Sequence, residues 1–151
     1  VSGAEDVSGP QLLAFMVGER QFGCPLSDVR EIIPHRLTSR LPGAPEHVIG
    51  LLNLRGTLLT VLDLGVALGV RDVLAPQGQV LVIEAEGRLV GCRVDEVRRV
   101  HPLPELLSPT HIGNGMPPGI VIGIGDAGDT MVAVLDLPVL VRHTLLFPGE
   151  S

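Results

Sequence analysis

The sequence predicts a mainly β protein built as two small β-barrels packed together, and three observations carry that prediction. Apolar runs are long and rich in Leu, Val and Ile, Gly and Pro interrupt them at short intervals, and one pattern of residues returns once along the chain. Strands buried on both faces read as continuous apolar runs, whereas half-exposed strands alternate with polar side chains. The clearest such run is Gly50–Leu64, GLLNLRGTLLTVLDL.

The return defines two halves. Gly23–Pro34 (GCPLSDVREIIP) set over Gly91–Pro102 (GCRVDEVRRVHP) matches at five of twelve positions, at an offset of 68. Ile49-Gly50 matches Ile122-Gly123, Thr57 matches Thr130 and Val61–Leu64 matches Val134–Leu137, all at an offset of 73. The difference falls in Leu103–Gly119, where Pro and Gly cluster and insertions cost little. A solenoid needs at least about three stacked units, so a pattern seen twice points to a duplicated small domain. Small sheets curl into barrels to hide their edges, and two barrels too small to be stable alone would share an apolar seam. The first barrel is expected over residues 11–75 and the second over residues 76–145, with exchange of strands between them left open.

The elements follow in order. Residues 1–10 read as a disordered tail, and Gln11–Val17 with Phe22–Leu26 as a hairpin across the turn Gly18-Glu19-Arg20-Gln21. Ser27, followed by Asp28, Arg30 and Glu31, predicts an N-capped helical turn over Ser27–Ile32 that Pro34 stops. His35–Pro42 is an extended polar link, and Pro42 and Pro45 punctuate a loop. After the central run, Leu64–Leu68 predicts a short helix closed by Gly69, and Val70–Gly78 a connecting loop. The pattern then begins again, and residues 146–151 form a second tail.

Composition removes several function classes. The 151 residues carry a net charge of −6, three Phe and no Trp or Tyr, which argues against a nucleic-acid surface. All eleven cations are Arg, and without Lys there is no Schiff-base, P-loop or kinase lysine. No apolar segment reaches the roughly 18–20 residues that cross a bilayer, and the leading residues are small, polar and acidic, so direct membrane insertion is not expected and the location reads as cytoplasmic. Cys24 and Cys92 read as buried, reduced thiols. The five histidines show no metal-ligand spacing and read as solvated loop residues. Gly123–Thr130, GIGDAGDT, lacks the EF-hand spacing and reads as a hairpin turn. No catalytic, cofactor or metal residue is expected.

Differences between the copies point to function. Asp63 and Asp136 recur in VLDL and read as structural anions at helix starts. Asn53-Leu54-Arg55-Gly56, however, becomes Asp126-Ala127-Gly128-Asp129, and Glu31 becomes Arg99. Arg55 is read as lying along apolar surface or pairing with Asp63 or Glu31, and as standing at the lip of a turn as a recognition group, two roles that can hold at once.

Four features in this order resemble the CheW family of bacterial chemotaxis coupling proteins. They are Phe15–Gln21 with its Gly-Glu turn, Val29–Ile32, Leu41–Gly50 (LPGAPEHVIG), and Asn53–Gly56 ahead of a strand ending in Val-Leu-Asp-Leu. The likeness continues through Gly91–Val97 and Thr130–Leu137 and spans residues 11–145. It implies two five-stranded SH3-like barrels side by side with a few short helices. It also implies a non-enzymatic adaptor between the regulatory domain of a CheA-type histidine kinase and the cytoplasmic tip of methyl-accepting chemotaxis receptors. Partner-binding residues implied by motif position are Val29, Glu31, Ile32, Gly50, Asn53, Leu54, Arg55 and Gly56. Phe22 stands where the family usually has Tyr, and Leu103–Gly119 is not motif-like. The alternatives are a CheW-like module of another chemosensory pathway, such as twitching motility or development, or of a longer kinase or adaptor. More distant is a small metal-dependent enzyme using the GDAGD turn.

Overall fold

Three two-residue turns, Gly18-Glu19, Arg55-Gly56 and Glu86-Gly87, fold neighbouring apolar runs into antiparallel hairpins. The computed structural model describes residues 9–34, 42–108, 119–128 and 130–146. Outside them lie most of the expected tails, the link at 35–41, most of the loop before Gly119, and Asp129 of the acidic turn. The first half contributes β1 (Gln11–Val17), β2 (Arg20–Pro25), β3 (Val29–Ile33), β4 (Val48–Leu54), β5 (Thr57–Asp63) and helix α1 (Leu64–Ala67). The second contributes β6 (Gln79–Ala85), β7 (Arg88–Val94), β8 (Glu96–Pro102), β9 (Val121–Asp126), β10 (Met131–Leu135) and helix α2 (Leu137–Val141), with a π turn at Arg142–Leu146.

The ten described strands form two five-stranded sheets, ordered β8-β1-β2-β10-β9 and β3-β6-β7-β5-β4. Replacing each strand by its repeat partner, β1 by β6 through β5 by β10, converts one order into the other. The sheets therefore do not follow the division into residues 11–75 and 76–145. Each takes two strands from one half and three from the other. The parallel junctions preserve the offsets, with Phe22 and Gly23 facing Ala133 and Val134 in one sheet, and Val90 and Gly91 facing Thr60 and Val61 in the other. Glycine recurs here for a steric reason. A Cβ on Gly23 would lie 2.8 Å from Leu12, and one on Gly91 2.8 Å from Val80.

Three apolar clusters explain why the strands read as unbroken apolar runs. Val80 and Val82 of β6 point into a small core with Leu52, Leu54, Leu59 and Val61, inside one sheet. Leu81, Ile83 and Ala85 of the same strand point the other way, into the largest cluster, where Phe15, Phe22 and Leu135 of the opposite sheet meet them. A matching small core gathers Leu12, Val132 and Val134 inside the second sheet. The greatest burial is thus in the seam between the sheets, and both strand faces are apolar because each faces a core.

One expected element is different. Only Leu26–Asp28 is helical, as a single 3₁₀ turn without a side-chain cap, and Val29–Ile33 is a strand. β-branched Val29, Ile32 and Ile33 pair with β6, and that pairing overrides the local cap signal from Ser27. Helix α1, by contrast, forms as expected, capped by Asp63 and closed by Gly69 at φ 77°.

Candidate functional site

The Asn53-Leu54-Arg55-Gly56 turn is shaped by its own chemistry. Arg55 and Gly56 both adopt positive φ, 51° and 89°, the two-residue hairpin geometry that matches strand twist. Asn53 Oδ1 accepts the Gly56 N–H at 2.9 Å, and Leu54 is buried in the small core. The arrangement pushes the Arg55 side chain outward, where it is 70% exposed.

Its guanidinium grips Glu31 of β3 by a two-pronged contact, at 2.6 and 3.2 Å to the two carboxylate oxygens. Hydrogen bonding to Glu31, then its charge, raises the Arg55 pKa and keeps the group cationic. Asp63, the other expected partner, is engaged elsewhere. β3 and β4 are the two edges of their sheet, which in a flat arrangement would stand about 19 Å apart. A contact between Glu31 and the β4–β5 turn requires the sheet to curl until its edges meet. Beside this corner, Arg30 pairs with Glu84 of β6, and Ile32 is 38% exposed.

The implied residues therefore separate. Glu31, Ile32, Asn53, Arg55 and Gly56 reach the surface, and Val29 is half-buried against the central seam. Gly50 and Leu54 are buried and serve as support, Gly50 beside a register shift between β4 and β5.

A second polar cluster lies at the junction of the sheets and was not anticipated. Fully buried Asp63 accepts the Val66 N–H at 3.1 Å, the Ala75 N–H at 2.7 Å, and Arg71 at 3.1 and 3.2 Å. Arg71 also donates to Asp95 at 2.8 and 3.0 Å, and Asp95 accepts the Gly18 N–H at 2.6 Å. Hydrogen bonding to Arg71 lowers the Asp95 pKa, while burial lowers that of Arg93, which donates to the Ala75 carbonyl. The available signal was Arg71, a lone cation in an otherwise plain loop shortly after Asp63, together with Asp95 in the run Val94-Asp95-Glu96-Val97.

Other expectations divide as well. Cys24 and Cys92 are buried, free thiols; burial pushes Cys24 up to about 12 and Cys92 upward too, so neither is a poised nucleophile. His47 and His101 are half-buried rather than solvated, His47 standing 2.7 Å from the Thr144 carbonyl. Among the described residues no group of three His, Cys, Asp or Glu side chains is placed to hold a metal, and no helix is long and apolar enough to cross a membrane.

Residues 11–145 match the CheW-like domain family. The chain belongs to the CheW family. It is 32% identical over 109 residues to the chemotaxis protein CheW of Rhizobium meliloti (strain 1021), covering 66% of this chain and 70% of that one. Against the probable chemotaxis protein CheW of Rhizobium etli it is 27% identical over 137 residues, 89% of this chain and 88% of the relative. Protein PilI of Pseudomonas aeruginosa is 36% identical over 93 residues, covering 61% and 52%. The crystal structure of scaffolding protein TtCheW from Thermoanaerobacter tengcongensis superposes with a TM-score of 0.77 at 26% identity, over 87% of each chain. CheW family members are scaffolding proteins, not enzymes.

Proposed function

We propose that this CheW-family chain is a non-enzymatic coupling adaptor of bacterial chemotaxis, joining the regulatory domain of a CheA-type histidine kinase to the cytoplasmic tips of methyl-accepting receptors, in the cytoplasm at receptor arrays. The observation that carries the reading at residue level is the outward-facing Arg55, oriented by its turn and by Glu31 yet 70% exposed. A planar guanidinium held in one direction can serve a partner's carboxylate or carbonyl groups as a fork, with little rotamer entropy left to lose. Ile32 beside it supplies an apolar anchor of the kind interfaces use.

Co-sedimentation of the purified protein with its own genome's CheA-type kinase and a receptor fragment tests this. Arg55→Glu places two acids face to face, and it is expected to weaken assembly by about tenfold or more while leaving the melting temperature nearly unchanged. Unaltered assembly, or loss of the fold, overturns the role given to Arg55.

A further inference from the structure

Side chains alternate along a strand, and β10 sends Val132 and Val134 into the small core, so Met131, Ala133 and Leu135 turn to the opposite face. Leu135 is sealed in the seam and Ala133 is half-buried, but Met131 is 53% exposed. Strand registers carry this face across the sheet. Asp126 and Ile124 of β9 stand opposite Met131 and Ala133, and Leu107 pairs with Ile124 from the far side. Leu107 is 57% exposed, and Ile122, two positions along β9 from Ile124, is 39% exposed. Among the described residues, three of the eight large apolar side chains left exposed therefore share this one face. Apolar side chains gathered in this way mark a contact surface, whereas scattered ones need no explanation.

On the other side of β10 lies β2. Its Phe22 stands opposite Ala133, which puts Arg20 in the row of Met131. The Arg20 guanidinium lies over the Phe22 ring, 5.7 Å from the centroid, so it is held on the same face. The pairing of β2 with β10 covers only Phe22 with Ala133 and Gly23 with Val134, and beside it is a cleft of about 370 Å³ bordered by Arg20, Phe22, Ile124 and Met131. One row across three strands thus reads cation, methionine, anion: Arg20, Met131, Asp126. Both charged residues are exposed, and two strand spacings set them about 10 Å apart. By the offsets of the repeat, the equivalent row in the other sheet is Arg88, Leu58, Asn53. That row has no anion, and Asn53 is turned back onto the Gly56 N–H.

We propose that this face is a self-association surface, on which a second copy of the chain docks about a two-fold axis beside Met131. A row with opposite charges at its two ends is its own complement. Turned by half a revolution, Arg20 of each copy meets Asp126 of the other, and each Met131 enters the cleft of the facing copy. Methionine, unbranched and adaptable, suits a cleft of irregular shape. A two-fold contact makes every interaction twice, so one cation and one anion per chain supply two ion pairs around an apolar centre. The patch is small, at the low end of interface size, and the expected dimer is weak, with a Kd on the order of 0.1 mM. This inference goes beyond the adaptor reading and does not depend on it, since Arg55 and Glu31 belong to the other sheet.

Sedimentation of the full-length protein alone, over a concentration series, tests the surface. The average mass is expected to rise toward that of two chains as concentration passes about 0.1 mM, and Met131→Glu to weaken association about tenfold or more. Arg20→Asp and Asp126→Arg each set like charges face to face, and each is expected to stay monomeric alone. Mixed one to one, these two variants are expected to pair, because each then supplies the charge the other lacks, and the double variant Arg20→Asp/Asp126→Arg is expected to pair with itself. Leu58→Glu, the same change at the equivalent place in the other sheet, is expected to leave association intact. Melting temperatures close to that of the wild type report that each variant folds. A wild-type chain that is monomeric up to about 1 mM overturns the proposal. So does a dimer that survives Met131→Glu, a pair of reversals that cannot rescue each other, or an equal loss with Leu58→Glu. A protein that dimerises in this way yet fails to assemble with kinase and receptor refutes the adaptor reading alone.

Discussion

Asp95 is the residue at which the two sheets are tied by charge. It receives two hydrogen bonds from Arg71 and one from the Gly18 N–H in the β1–β2 turn, and these hold its carboxyl below the usual aspartate value near 3.8. A carboxylate whose folded pKa is depressed adds stability above its unfolded pKa, and that stability is lost as pH falls through the folded value. The wild-type urea midpoint is therefore expected to fall below about pH 4, and Asp95→Asn to flatten that fall between roughly pH 5 and pH 2. An unchanged slope in the variant would show that Asp95 carries none of the acid sensitivity. Arg55 illustrates what was legible at this scale and what was not. Its isolation inside an apolar run marked it, and the turn chemistry of Asn53 and Gly56 agreed, but its choice of Glu31 over Asp63 depends on β3 curling round to β4, and no local pattern encodes that.

Among the elements, the two short helices separate capping from ion pairing. Asp63 and Asp136 each accept the N–H three residues on at 3.1 Å, so both cap. Only Asp63 is also sealed from water and gripped by Arg71, with Arg93 at 3.9 Å. Truncating a cap alone costs about 1 kcal/mol, whereas removing one member of a buried charge cluster costs about 3–5 kcal/mol because it strands the opposite charge. Chemical denaturation of Asp136→Ala and Asp63→Ala is expected to reproduce that order, and equal losses would mean that Arg71 and Arg93 find water when Asp63 goes. The caps were readable because VLDL ends each central strand. The strand at Val29–Ile33 was not, because Ser27 and the charges behind it spell a helix start, and only the pairing of β3 with β6 decides otherwise.

For the whole molecule, the duplication was readable and the wiring was not. Offsets of 68 and 73 marked the copies, but the parallel contacts of β2 with β10 and β5 with β7 join residues more than a hundred and about thirty positions apart, and such partners are chosen by packing in the seam rather than by local sequence. Because each sheet needs strands from both halves, fragments 1–75 and 76–151 are expected to be unfolded separately and to regain a β-type circular dichroism spectrum as a one-to-one complex when mixed. A monomeric fragment with a folded spectrum of its own would contradict this.

The reciprocal wiring also says something about ancestry. A polypeptide of half this length would present unpaired edges that only a sister copy could fill, so the earliest workable form is a homodimer encoded by one short gene. Fusing two such genes released each copy from the need to stay identical, and the opposite charges now standing at Glu31 and Arg99 are the trace of that freedom.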